Sequence, residues 1–156
     1  MRILGIDPGS RATGYGIVDE KGGILRFVSC GVIRTKSSDS LPVRLQTIYD
    51  GLCGIIARHN PDEAAVEDVF VSVNPRSALK LGQARGAAIL AAMGHGLPVF
   101  EYSAKQVKLG VVGYGQAGKQ QIQSMVCMLL HLVTTPSADA ADALALAVCH
   151  INRRGV

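Results

Sequence analysis

The chain of 156 residues has no tryptophan, little charge and no paired cysteine motif. Charged residues make up 18% and hydrophobic ones 48%, which excludes a disordered chain and a long polar coiled coil. Cys30, Cys53, Cys127 and Cys149 are widely spaced and none forms a CxxC, so neither a zinc site nor a disulfide framework is expected. No segment reaches the ~18 uninterrupted apolar residues of a membrane span. The opening Met1-Arg2-Ile3-Leu4-Gly5-Ile6-Asp7 meets an acid before any signal-like run develops. A soluble, cytoplasmic protein made of one domain over 1–156 is the expectation.

One further scarcity is local. From Val69 to Ala138 the only acid is Glu101, against Arg76, Lys80, Arg85, Lys105, Lys108 and Lys119. A stretch this poor in acids points to a polyanionic partner, although a solvated basic face reads the same way.

What is present reads as alternating elements. Arg2 to Ile6 is a short apolar run closed by Asp7-Pro8-Gly9, the pattern of a central strand covered on both faces. Thr13–Val18 and Ile24–Ile33 flank Glu20-Lys21-Gly22-Gly23, a hairpin signal. Leu41, Leu45, Ile48, Leu52 and Ile55 mark one face of a helix that Asn60-Pro61 ends. Ala64-Ala65-Val66 begins another buried strand and runs into Glu67. Asn74-Pro75 opens a helix to about Met93, whose Gly82, Gly86 and Ala87 would let a partner helix approach closely. Pro98-Val99-Phe100 reads as a strand and Ser103 as the cap of a short helix. Gly110, Gly113, Gly115 and Gly118 read as a loop, Lys119–Leu132 as a helix, and Pro136-Ser137 as the start of the last one. The order β-β-β-α-β-α-β-α-α-α implies an α/β fold, a mixed sheet with helices on both faces.

The last helix carries the chemistry. From Ala138 to Cys149 only Asp139 and Asp142 are not apolar, so the helix is expected to be buried. Acids three residues apart share one face, with Cβ atoms about 5–6 Å apart, and burial of two like charges calls for a cation between them. Asp139 also suits the first helical turn, where the dipole favours an acid; Asp142 lies deeper. Asp7 and Glu67 each end a buried strand, and in a parallel pair those ends would lie side by side. Asp68 points to the other face, as a solvated neighbour. None of these elements offers a Lys or Arg to the acids. Hard oxygen ligands of high charge suit Mg²⁺ or Mn²⁺ rather than zinc, and several carboxylates can hold two such ions for phosphodiester hydrolysis.

With these residues in view, the sequence resembles the RuvC family of Holliday junction resolvases, in the ribonuclease H-like superfamily. The resemblance rests on Gly5-Ile6-Asp7-Pro8-Gly9-Ser10 with Thr13-Gly14-Tyr15-Gly16, and on Glu67-Asp68-Val69-Phe70. It rests further on the block from Ser77 to Gly86, on Gln106-Val107-Lys108, and on Ala138-Asp139-Ala140-Ala141-Asp142-Ala143. It implies a five-stranded mixed sheet whose first three strands are antiparallel. It implies a Mg²⁺-dependent endonuclease, a homodimer, with Asp7, Glu67, Asp139 and Asp142 as catalytic and metal-binding acids and two ions per site. By the same resemblance Phe70 stands near the junction centre, Lys108 and Lys119 contact DNA, and the protein works alongside the RuvA–RuvB branch-migration complex. Arg76 and Lys105 join the DNA-contact set from charge pattern alone. A two-fold dimer would present one site to each of two related strands of a four-way junction and leave ligatable nicks. Three other readings share parts of this pattern: an actin-like or sugar-kinase-like phosphotransferase, a non-catalytic DNA-binding module, and a nuclease of the same fold acting on an RNA–DNA hybrid.

Overall fold

Strands with apolar stretches, joined by a glycine turn and by amphipathic helices, can bury their apolar faces only by layering. The computed structural model describes residues 1–69 and 74–154, and its element order is the one the sequence pattern implies. Strands β1 (Arg2–Asp7), β2 (Ala12–Lys21) and β3 (Ile24–Arg34) form an antiparallel meander. Helix α1 (Leu41–His59) leads to β4 (Glu63–Asp68), and α2 (Pro75–Gly94) leads to β5 (Val99–Ser103). Then follow α3 (Ala104–Val112), α4 (Lys119–Leu129) and α5 (Ala138–Arg154). The sheet order is β3-β2-β1-β4-β5, with β4 parallel to both β1 and β5.

Two apolar cores flank the sheet. Ile48, Leu52 and Ile56 of α1 and Ala84, Ala88 and Ala91 of α2 pack with Leu4, Ile6 and Val66 on one face. On the other, Leu144 and Val148 of α5 pack with Ile3, Val18 and Ala65, joined by Val107, Ile122 and Val126. No helix is long and apolar enough to cross a membrane among the described residues.

Local chemistry sets several boundaries. Gly22 and Gly23 both take positive φ, 60° and 82°, as a two-residue turn with the strands' own twist requires. Ser103 and Gln106 form a capping box that starts α3 as β5 ends. Three details differ from the sequence reading. Gly110 lies inside α3 rather than in a loop, and glycine there serves close packing rather than a turn: a Cβ would stand 2.7 Å from Cys149 Sγ of α5. Helix α4 stops at Leu129, three residues before Leu132. Among the described residues a Cβ on Gly82 or Gly86 would meet nothing within 4 Å, so no described helix packs closely along that line of α2.

Helix α5 lies so close to the sheet that side chains are excluded beneath it. A Cβ on Gly5 would fall 1.9 Å from Ala143 O, one on Gly14 2.1 Å from Asp139 O, and one on Gly16 2.7 Å from Leu144 N. The far end of the helix is held by a buried polar chain. Glu63 accepts a hydrogen bond from His150 Nε2 at 2.7 Å, and His150 Nδ1 accepts one from the Tyr102 hydroxyl at 2.6 Å. Arg154 closes the chain on Glu63 at 2.7 Å. Pinned at both ends, α5 has little freedom to slide, and this fixes where its first turn meets the strand ends.

Candidate active site

Parallel pairing of β1 with β4 puts Ile6 opposite Val66, so Asp7 and Glu67 leave the sheet side by side at the carboxyl edge. The tight turn after Asp7 is closed by Thr13, whose hydroxyl donates to Gly9 O at 2.9 Å and accepts the Gly9 amide at 3.3 Å. Gly14 pairs across the ladder with Asp7 and lies under the Asp139 carbonyl. One glycine thus brings the acids of β1 and of α5 together. Ser137 Oγ accepts the Ala140 amide at 3.4 Å and begins the helix that carries Asp139 and Asp142.

The electrostatics report the same cluster. Burial first, then Asp142, Glu67 and Asp139 in that order, together push the Asp7 carboxyl up to about 7, with Lys119 opposing them. Burial and Asp142 raise Glu67, with Lys119 opposing them. Burial also raises Asp142, while a hydrogen bond from Lys119 pulls it back. Carboxylates that lift one another in this way are close enough to share a field and have too little positive charge among them.

Two features correct the sequence reading. The acids of α5 are half-buried at a mouth rather than sealed inside: the Asp142 side chain is 32% exposed and lines a cavity. A lysine does reach them: Lys119 Nζ, from the first residue of α4, lies 3.2 Å from Asp142 Oδ2. It comes from a separate element, so periodicity within α5 could not reveal it. Lys119 offsets one negative charge, and Asp142 raises the Lys119 ammonium pKa in return.

Beside the acids lies a cavity of about 260 Å³. Glu67, Asp142, Lys108 and Lys119 line it with the apolar Val107 and Ile122. Lys108 therefore stands at the site, whereas Arg76 and Lys105 are exposed on α2 and α3 and do not line that cavity. Phe70 lies outside the described residues. Asp68 is exposed, but it is not a free bystander: Arg85 Nη2 lies 3.7 Å from its carboxylate.

As a donor set the four acids fit a hard divalent cation: oxygen only, with excess negative charge on rigid elements. Among the described residues, no three His, Cys, Asp or Glu side chains are already gathered into a shell around one point. Mutual repulsion and the Lys119 contact both favour that spread arrangement.

Comparison with known proteins points the same way. The family model described as "Crossover junction endodeoxyribonuclease RuvC" matches residues 3–150. A protein of that name from Cupriavidus metallidurans is 57% identical over 152 residues, covering 97% of this chain and 84% of its own. Another from Burkholderia pseudomallei is 59% identical over 150 residues, covering 96% and 83%. Among solved structures, T. thermophilus RuvC in complex with a Holliday junction substrate superimposes with a TM-score of 0.93 at 34% identity. That match covers 99% of this chain and 94% of the other. The yeast mitochondrial resolvase Ydc2, at 13% identity and a TM-score of 0.68, shares the fold.

Proposed function

The chain belongs to the RuvC family of crossover junction endodeoxyribonucleases, and on that premise we propose how its own residues carry out Holliday junction resolution. The observation that supports the assignment most is the convergence of Asp7, Glu67, Asp139 and Asp142 from β1, β4 and α5 on one partly buried, mutually repelling cluster. These four would hold Mg²⁺, with Mn²⁺ as substitute, as a pair of ions. When bound, such ions acidify a water and stabilise the oxygen that leaves phosphorus. The chain's own residues prepare for this. Asp7 and Glu67 are fixed by strand pairing, and Asp139 and Asp142 by a helix that glycines hold against the sheet. Lys119 restrains Asp142 and keeps it from adding its full charge to the cluster. Lys108 and Lys119, at the rim of the same cavity, present ammonium groups to a phosphate entering it. Arg76 and Lys105 would extend the phosphate track, and Phe70, next after Val69, would stack on an unpaired base at the junction centre.

A four-way junction has two related strands to cut, so the working unit is a homodimer. Helix α2 supports this. Leu79, Leu90 and Met93 are 69%, 64% and 55% exposed on it, and among the described residues nothing covers the side of Gly82 and Gly86. Such a small-residue and apolar face suits a second copy of the helix. Residues 1–156 would act as one nuclease domain in the cytoplasm, alongside RuvA–RuvB, in recombination and DNA repair.

The test compares cleavage of a four-way junction, a linear duplex and an RNA–DNA hybrid in Mg²⁺. Paired symmetric nicks in the junction, with ends that ligase seals, are expected. Preferential cutting of the hybrid would replace this reading with that of a ribonuclease.

A further inference from the structure

The described residues outside the acid cluster contain one cation aimed at its scaffold. Arg85, on α2, keeps only 19% of its side chain exposed. Its Nε donates to the backbone carbonyl of Glu67 at 2.9 Å. Its Nη2 meets Glu101 Oε1 of β5 at 2.5 Å and lies 3.7 Å from Asp68 Oδ1. A single guanidinium thus joins α2 to the carboxyl end of β4 and to the middle of β5, at the residue whose carboxylate faces the other acids.

Glu67 is the second-last residue of β4, and the sheet supports it only through β5, where it pairs with Tyr102. On the β1 side, pairing of β4 ends at Val66. The Glu67 backbone is thus held from one flank by the ladder and from α2 by Arg85. An unanchored strand end would let the carboxylate swing away from a cluster that already repels it.

We infer that Arg85 is a positioning residue: its fork fixes the Glu67 backbone so that the Glu67 carboxylate stays within reach of Asp7 and Asp142 when cations are bound. The inference rests on the reading of these acids as a divalent-ion site. Planar geometry is required, because Nε and Nη2 serve different acceptors at once. A lysine, with one point charge, cannot replace it. Partners that orient a metal ligand typically contribute 10–100-fold to affinity or activity. Since α2 also bears the open apolar face, any displacement of that helix reaches Glu67 through Arg85.

Arg85→Lys, Arg85→Met and Glu101→Gln would be compared with the wild-type protein by three measurements. Mn²⁺ binding by calorimetry without DNA is expected to weaken about tenfold in both Arg85 variants and two- to fivefold in Glu101→Gln. Junction affinity in EDTA is expected to change less than twofold, and single-turnover cleavage to fall 10–100-fold. Melting curves confirm that each variant is folded before it is titrated. Arg85→Lys with wild-type Mn²⁺ affinity and cleavage would overturn the inference, since charge alone would then suffice. Unchanged Mn²⁺ affinity in Arg85→Met, with junction binding lost instead, would make Arg85 a DNA contact and overturn it too. If the wild-type protein binds Mn²⁺ yet cuts no junction, the nuclease reading fails on its own, and the calorimetric comparison still decides the role of Arg85.

Discussion

Replacing Asp7 with Asn should make the metal-free protein more stable while abolishing cleavage. Asn has the shape of a protonated aspartate and cannot carry its charge. In the folded protein the Asp7 carboxyl is raised from 3.8 to about 7 by burial and then by Asp142, Glu67 and Asp139. Between those two values the native state holds a proton that the unfolded chain has lost, so stability falls as pH rises through the window. Above about 7 the full cost of the buried charge is present. At 1.36 kcal/mol per unit, a shift of this size corresponds to about 4 kcal/mol as an upper bound. Relaxation of a half-open site will reduce it. Each kcal/mol moves the melting temperature by roughly 2–4 °C for a chain of this length. In EDTA at pH 8.5, Asp7→Asn should therefore melt several degrees above the wild type. The gap should narrow as pH falls, to about 1.6 kcal/mol at pH 5, and close only near pH 3, below the ordinary carboxyl value of 3.8. Millimolar Mg²⁺ should raise the wild type far more than the variant and close the gap at high pH. A gap that is equal at pH 5 and pH 8.5, or a variant less stable at both, would refute the claim that charge repulsion at Asp7 strains this site.

Other outcomes follow from the same geometry. Gly14→Ala places a Cβ 2.1 Å from Asp139 O, so it should cost about 1–3 kcal/mol in denaturant unfolding and lower cleavage at least tenfold by lifting α5 away from Asp7. Lys108→Ala should reduce the slope of log Kd against log salt for junction binding by about one. Lys119→Ala should reduce it by less, because that ammonium is already held by Asp142, yet should lower cleavage more. Leu90→Asp with Met93→Asp places charges on the exposed face of α2, and sedimentation should then show monomers without loss of the folded far-UV signal.

Much of the architecture was legible because it depends on local pattern. The buried β1 run, the glycine turn at 22–23, the α1 periodicity and the capping Ser103 each act within a few residues, and the element order followed from them. The acids stood out because Asp7, Glu67, Asp139 and Asp142 interrupt otherwise apolar segments. The sequence marks Lys119 only as a DNA contact, through the resemblance and not as a partner of Asp142, and it does not mark Arg85 as a site residue. On the sequence they are ordinary basic positions, 23 residues before Asp142 and 18 after Glu67. Their roles arise from helix packing that no periodicity encodes. The glycines divide similarly. Among the described residues nothing approaches Gly82 and Gly86, whereas Gly5, Gly14 and Gly16 lie under α5.

The sequence by itself determined which side chains would be forced to compete for charge at a buried edge, because hydrophobic patterning dictates which segments go inside and an acid within one goes with it. Only the tertiary structure decided how those acids are arranged and which cations restrain them. Distance between elements is set by the closest approach of their backbones, and that depends on the contact of α5 with three glycines and on the reach of two long cationic side chains across the chain.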